Sequence, residues 1–370
     1  MKAFRTLLFL LATLTFFDSK PLKANSSSID QESVELRQQE IISFTNYWKP
    51  FTFQEKQKHP EFFSSLQSLL EEGFIYRTEE GDGGAYRVED SLGRAHFIIK
   101  PTDESIYCLN NPKSYPSSSL EQKARKNIPL YQSAQREAFC YELALLSGLE
   151  AITPKTYLTT LTLLQFFNFS FDEPLEKLCS IQEYVQDGIC LRTLLQNLFS
   201  LHLEDKDLEP YFSEEDFALI SLFVWLTFDN DAHAGNLLAY PLKKDPNGFT
   251  TYGLRKIDNS LSFPEKNTDM FHFLLHFPHA LHSISPSIQG KIHHLPLDSL
   301  EKSLERFELT SSLFAFKERV HVLQDLAKRP LITYYEIGLR LLLLEEPNGL
   351  ELALSFLSLE ELKDLSPSFL

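Results

Sequence analysis

The apolar residues of this chain change their period along its length, and that change restricts the fold more than any other feature. Between Phe74 and Lys100 the pattern is that of short strands, over 74–77, 85–88 and 95–100. A Gly-rich stretch from Gly81 to Gly84 and a turn through Asp90, Ser91 and Gly93 separate them. Three strands with tight turns predict an antiparallel sheet. Ahead of them, residues 25–74 place Val34, Leu36, Ile41, Ile42 and Phe44, then Phe62, Phe63, Leu66, Leu69 and Leu70, at the three- and four-residue spacings of helices. After a polar loop rich in Asn, Pro and Ser at 110–119, a well-buried helix is expected over 135–146, and 180–185 reads as another strand. Beyond Asp187 and Gly188 helical spacing takes over, with one apolar helix over 217–228, two short strands near Leu237 and Tyr252, and helices toward Leu370. The expected architecture is α+β: a helical extension at 25–75, a mostly β small lobe at 76–187 and a mostly α large lobe at 188–370.

Composition narrows the partners. With 370 residues, 43% of them hydrophobic, there is ample material for a core, and a net charge of -16 spread along the chain argues against nucleic acid or anionic lipid surfaces as spontaneous partners. Lys2 and Arg5 precede an apolar run at 6–17 that is short for a bilayer span, and Leu22, Lys23 and Ala24 offer a small-residue cleavage site. Residues 1–24 therefore read as a secretory signal, with no membrane span expected in the mature chain. Cys108, Cys140, Cys179 and Cys190 show no two-residue spacing of a zinc or redox motif, so buried free thiols are expected, a disulfide being the alternative in an oxidising compartment.

The chemistry-bearing stretch is 228–238, Phe Asp Asn Asp Ala His Ala Gly Asn Leu Leu, in which Asp231 stands five residues before Asn236. A kinase catalytic loop has that Asp-to-Asn interval, because one carboxylate must face the attacking hydroxyl while an amide oxygen one turn later meets a magnesium ion on the phosphates. By itself the interval is also what a surface turn looks like. A second acid, Asp258, follows through an expected hairpin whose turn is Asp245, Pro246, Asn247 and Gly248. Counted from Asn247, Asn236 and Asp258 are equidistant, which predicts that they lie opposite each other and form a hard, oxygen-rich site suited to magnesium. In the small lobe, Gly81, Gly83 and Gly84 could bring bare backbone amides to phosphate oxygens, although by itself such a loop is more often just a hairpin turn. Lys100 ends the apolar strand Phe97, Ile98, Ile99, where a lysine requires a partner, and Glu137 on the downstream helix is the candidate. His272 and His276 have the i, i+4 spacing of a metal pair, but no glutamate follows His272 and Pro278 breaks the helix, so with His279 they read as structural or lid-lining.

These residues resemble the phosphatidylinositol 3- and 4-kinase family, its type II and gamma-type members in particular. The resemblance rests on Phe97 to Glu104, Asn110 to Lys113 and Arg136 to Ala138 in the small lobe, and on Asp231 to Leu237, Ile257 to Pro264 and Phe277 to Ala280 in the large lobe, running from about Gly81 to Pro286. It implies a bilobal protein-kinase-like fold with ATP and Mg2+ in the cleft and γ-phosphoryl transfer to a hydroxyl of phosphatidylinositol or of a protein. On the same basis, Gly81, Gly83, Gly84 and Ala85 would cover the phosphates, Lys100 would bind them, Glu137 would orient Lys100, and Glu183, Tyr184 and Val185 would form the strand whose backbone meets adenine. Asp231 would be the catalytic Asp, His233 would assist near the γ-phosphate, and Asn236 with Asp258 would hold magnesium. The family usually has Arg between the catalytic Asp and the His. Here Ala232 stands there, so a catalytically impaired pseudokinase acting as a nucleotide-binding or interaction module is the alternative. The sparse basic residues after Asp258, Lys266 alone up to Asp269, suit an unphosphorylated acceptor better than a polyphosphorylated head group. With an export signal, the reading extends to a bacterial effector delivered into another cell or to a luminal kinase of a secretory pathway.

Overall fold

Strand β3 (Ala95–Pro101) organises the small lobe. Ala95, Phe97, Ile99 and Pro101 are buried, while His96, Ile98 and Lys100 alternate with them on the other face, half-buried, as a strand requires. In the computed structural model, which describes residues 31–344 apart from 80, 82, 107, 109, 114–126, 168–173, 202, 204, 245, 247–248, 268–272 and 343, β3 pairs antiparallel with β2 (Tyr86–Glu89) and β5 (Glu176–Glu183). With β1 (Phe74–Arg77) and β4 (Thr156–Thr162) at the margins, the sheet runs β1-β2-β3-β5-β4. The expected signal segment, the turn residues Asp245, Asn247 and Gly248, and His272 lie outside the described residues.

The three strands expected at 74–100 form, with ends shifted by a residue at most. The sheet is larger than expected, because β4 has no counterpart in the sequence reading and β5 begins at Glu176 instead of 180. Each miss has its own cause. Strand β4 is Thr-rich and buried at Thr156, Leu158, Thr159 and Thr160, so it lacks a two-residue alternation. In β5, Lys177 interrupts the apolar run and belongs to a buried strand only because acids from another segment neutralise it.

Helix α2 (Pro60–Glu72) sets Phe63 and Leu66 on Tyr86, Val88, Phe97, Ile99 and Ile181, closing one face of the sheet in a small apolar core. Preceding it, α1 (Gln31–Lys58) buries Trp48, and the Arg306 guanidinium reaches its Glu55 at 3.1 Å. Helix α3 (Ser133–Leu146) packs on β4 and β5 and is buried from Ala134 through Tyr141, Gln135, Arg136 and Glu137 included.

The large lobe contains α4 (Leu191–Ser200), α5 (Glu214–Thr227), α6 (Pro286–His293), α7 (Leu297–Arg306), α8 (Leu313–Ala327) and α9 (Tyr334–Leu342). Its short sheet is ordered β6-β7-β8, from β6 (Ile189–Cys190), β7 (Leu237–Lys244) and β8 (Thr250–Lys256). Helix α5 begins where Ser213 accepts from Asp216 N, carries Glu214, Glu215 and Asp216 in its first turn, and stops at Phe228 in the left-handed region, φ 48°. That stop delivers the chain directly into residues 229–236. One core joins the lobes, from Trp48 and Phe139 through Phe223 and Trp225 to Phe316 and Ile337.

The expected register of the β7–β8 hairpin is corrected by one residue. Lys244 pairs with Thr250 and Lys243 with Thr251, but a bulge between Pro241 and Lys243 shifts the ladder, so that Pro241 faces Tyr252 and Leu237 faces Lys256. Asn236 therefore lies opposite Ile257, whose N–H donates to its carbonyl at 3.0 Å, and Asp258 is the next residue along. All four cysteines are free thiols.

Candidate active site

Lys100 is the meeting point of the two lobes. Its position on the half-buried face of β3 directs Nζ to Oε1 of Glu137 on α3 at 2.6 Å and to Oδ1 of Asp258 after β8 at 3.1 Å. The Glu137 side chain is 1% exposed, that of Lys100 20% and that of Asp258 40%, so the trio grades from the interior to solvent. Burial alone would discharge the ammonium, but the carboxylates of Asp258 and Glu137 outweigh it and hold the Lys100 pKa above its usual value. Burial pushes Glu137 up against the opposing pull of Lys100. For Asp258 burial acts upward too, yet the charges of Lys100 and Lys256 prevail and keep its carboxyl well below the ordinary range.

Asp258 is aimed by its backbone. It adopts φ 55°, a left-handed conformation that few residues other than glycine take, as the chain leaves β8. Ser260 Oγ donates to its Oδ1 at 3.0 Å, and Lys256 Nζ donates to the carbonyls of Ile257 at 2.7 Å and Asp258 at 2.9 Å. Farther along, the fully buried Arg136 guanidinium donates to the carbonyl oxygens of Ser262, at 2.7 Å, and Phe263. Since Arg136 and Glu137 are neighbours on α3, one helical turn fixes both the lysine and the segment that carries the acid.

Beside Asp258, at the neighbouring strand end, Asn236 Nδ2 donates to Asp231 Oδ2 at 2.9 Å and to Asp231 O at 3.0 Å, closing residues 231–236 into a tight loop. Gly235 N donates to His233 Nδ1 at 2.9 Å, which makes that nitrogen the acceptor and leaves the proton on Nε2, 3.7 Å from Asp231 Oδ2. Burial, with help from the charges of Arg192 and Lys256, lowers the His233 pKa to about 4, so the ring is neutral at pH 7. Behind the loop lies a pair that sequence reasoning did not single out. Asp229 Oδ2 and Lys256 Nζ are 2.6 Å apart with neither side chain exposed, and Asp229 Oδ1 accepts from Asp231 N at 2.9 Å. A lysine at an inward position of β8 was the available signal.

The glycine loop joins β1 to β2. Gly81 has φ 76°, its carbonyl accepts from Lys113 Nζ at 3.1 Å, and Thr78 N donates to Ala85 O at 2.8 Å. Gly84 N donates to Glu104 O at 2.8 Å, and a Cβ on Gly84 would stand 2.2 Å from Glu104 Oε2. That carboxylate cannot yield readily, since it is buried with Tyr86 OH at 2.6 Å and Lys177 Nζ at 2.8 Å. Asp103, 3.0 Å from Lys177, completes a charged group beneath the loop. Sequence reasoning quoted Asp103 and Glu104 without assigning them this task, because Lys177 is 73 residues away.

Glu183 and Tyr184 donate their N–H groups to Lys155 O and His96 O, both at 2.8 Å, and Val185 is buried beside Gly188. These three residues lie where β5 leaves the sheet for the large lobe. His279 is a core residue, stacked on Phe217 with ring centroids 5.0 Å apart, and His276 sits in a short 3-10 turn. Among the described residues no group of three or more His, Cys, Asp or Glu is arranged to hold a metal ion, and no helix is long and apolar enough to cross a membrane.

Comparisons with known proteins agree with the sequence resemblance. The chain is 27% identical over 205 residues to phosphatidylinositol 4-kinase gamma 5 of Arabidopsis thaliana, covering 54% of this chain and 31% of that protein. It is 24% identical over 251 residues to phosphatidylinositol 4-kinase gamma 4 of Oryza sativa subsp. japonica, covering 64% and 40%. A shorter segment of 68 residues is 37% identical to phosphatidylinositol 4-kinase gamma 2 of Arabidopsis thaliana, covering 18% and 12%. The chain thus spans only about a third of the length of the first curated relatives it matches. No protein-family model matches it. Among solved structures it aligns with a Golgi casein kinase at a TM-score of 0.43 and 10% identity, covering 71% of this chain and 72% of that one. It also aligns with the Helicobacter pylori proinflammatory kinase CtkA at 0.35 and 8%, covering 76% and 98%.

Proposed function

From the chain's kinship with the phosphatidylinositol 4-kinase gamma proteins, we propose that it is an ATP- and Mg2+-dependent kinase that transfers the γ-phosphoryl group to a hydroxyl of phosphatidylinositol or of a protein. The observation that carries this reading is the Lys100 ammonium held between Glu137 at 2.6 Å and Asp258 at 3.1 Å. A lysine so anchored is a fixed positive charge at the mouth of a cleft, placed for the α- and β-phosphates.

The remaining residues take the roles that their surroundings allow. The backbone at Gly81, Gly83 and Ala85 covers the phosphates, Gly84 holding the loop through its N–H to Glu104 O, and the chain at Glu183, Tyr184 and Val185 meets the purine. Asp231 accepts the acceptor's proton, and the neutral His233 donates from Nε2 beside it. The donor set fits magnesium: Asp258 is ionised and 40% exposed to the cleft, and the Asn236 amide nitrogen is committed to Asp231, which leaves its Oδ1 as an acceptor. When bound, magnesium neutralises charge on the phosphates, and on nucleotides it takes only one or two protein side chains beside phosphate oxygens.

A transfer assay with labelled ATP and magnesium, run in parallel on phosphatidylinositol vesicles and a protein extract, tests the reading. Wild type is expected to label one of the two and Asp231→Asn neither. Equal counts from both proteins would defeat it. The second reading, a nucleotide-binding module without transfer, is favoured by Ala232, a buried methyl within the catalytic loop. Stabilisation by ADP with no Asp231-dependent labelling would select it. Export through residues 1–24, with delivery to another cell, is part of the proposal. Recovery of protein with Met1 retained, solely from the producing cell's cytoplasm, would contradict that part.

A further inference from the structure

The catalytic loop has no permanent cation of its own. Residues 229–236 contain no lysine or arginine, His233 accepts at Nδ1 and is therefore uncharged, and Ala232 contributes only a buried methyl. Phosphoryl transfer concentrates negative charge on the equatorial oxygens, and positioned cations supply much of the rate. Lys100 and magnesium would serve the nucleotide side of that group. The acceptor side needs a charge from elsewhere in the fold.

Arg192 is placed to provide it. Strand β6 pairs with β7, Cys190 opposite Leu238, and Cys190 Sγ lies 3.8 Å from the carbonyl oxygens of both Ala234 and Gly235. Two residues later, in the first turn of α4, the Arg192 guanidinium lies with Nη2 3.5 Å from His233 Nδ1. The loop makes room for it: a Cβ on Gly235 would stand 2.8 Å from Arg192 Nη2 and 2.7 Å from His233 Cε1. The position is also costly for the helix. A cation in the first turn opposes the helix dipole, and no acid in that turn offsets it. Local rules broken in this way concentrate at functional positions.

We propose that Arg192 is a catalytic residue of this site, the guanidinium that meets the migrating phosphoryl group on its acceptor side. The acceptor oxygen forms its bond to γ-phosphorus as the bond to the β,γ-bridging oxygen breaks. The electron pair leaves with ADP, the acceptor proton passes to Asp231, and Arg192 balances the charge on the equatorial oxygens throughout. This inference rests on the kinase reading above.

The test uses the full chain with magnesium and compares wild type, Arg192→Ala and Arg192→Lys in two measurements: labelled transfer, and melting temperature with ADP alone and with ADP plus aluminium fluoride, a mimic of the migrating group. Arg192→Ala is expected to keep the ADP shift and a KM for ATP within about threefold of wild type, yet lose about 10²- to 10³-fold in kcat, the range for removing one transition-state donor. It should also lose the extra shift given by aluminium fluoride, and free guanidine at millimolar concentration should restore part of kcat. Arg192→Lys should fall between. An Arg192→Ala protein that transfers within threefold of wild type, keeps the aluminium fluoride increment, or loses its ADP shift along with kcat would overturn the proposal. A wild type that does not respond to ADP at all would instead overturn the kinase reading, and this inference with it.

Discussion

Asp229 and Lys256 meet at 2.6 Å with both side chains fully buried, one at the end of α5 and the other at the end of β8. The pair ties the start of the Asp231 loop to the turn that presents Asp258. Burial pushes the Asp229 carboxyl up and Lys256 draws it down. Lys256→Met or Asp229→Asn alone should therefore lower stability by about 3–5 kcal/mol, the cost of leaving one buried charge unpaired. Replacing both together should cost less than the sum of the two. Denaturant unfolding of the four proteins in one cycle checks this, and additive losses would show that the two side chains do not support each other.

Lys100 and Asp258 make separable predictions. In wild type, ADP should raise the melting temperature further when magnesium is present. Asp258→Asn should keep the response to ADP and lose the magnesium increment, because the amide cannot offer an ionised oxygen. Lys100→Met should reduce transfer by about 10²-fold or more while the chain stays folded, since Glu137 can take up a proton once its partner is gone. Thermal shift and labelled transfer on the same samples separate the two effects.

The glycine loop discriminates by space. Gly84→Ala places a methyl 2.2 Å from a Glu104 carboxylate that Tyr86 and Lys177 hold, so a loss of about 1–3 kcal/mol and weaker nucleotide binding are expected. Gly83→Ala meets nothing closer than Glu104 O at 3.4 Å and should be tolerated. Equal unfolding midpoints for the two variants would contradict this account.

His233 gives a pH dependence. Its folded pKa of about 4 lies below the ordinary 6.5, because burial and the neighbouring cations disfavour the imidazolium. A depressed pKa contributes stability that is fully present above pH 6.5 and is lost as the pH falls toward 4. His233→Asn lacks that contribution at every pH. The stability difference between wild type and variant should therefore shrink from pH 6.5 to 4 and stay constant above pH 7. A difference that is flat across the acid range would show that the imidazole titrates alike in the folded and unfolded chain.

Several elements were legible from local pattern. Strands β1 to β3, helices α3 and α5 and the two strands of the β7–β8 hairpin follow from spacing and turn residues within a few positions of themselves. Lys100 with Glu137 was legible too, because a lone lysine closing an apolar strand demands a partner and the next buried helix carries one acid in the right place. The Asn236 to Asp258 register was legible to within one residue. The bulge that displaces it, between Pro241 and Lys243, leaves no mark in a count of equal distances from the turn.

What the amino-acid order determined by itself was therefore most of the elements and the Lys100, Glu137, Asp231, Asn236 and Asp258 positions, since hydrophobic period and turn chemistry are properties of neighbours along the chain. What only the tertiary structure decided was which distant charges neutralise each other, Lys177 with Asp103 and Glu104 and Asp229 with Lys256, and that Arg192 comes to the neutral His233. The physical reason is that a charge tolerates burial only when a partner arrives within hydrogen-bonding distance, and such partners come from strands, loops and helix ends separated by tens of residues, where no local pattern records the meeting.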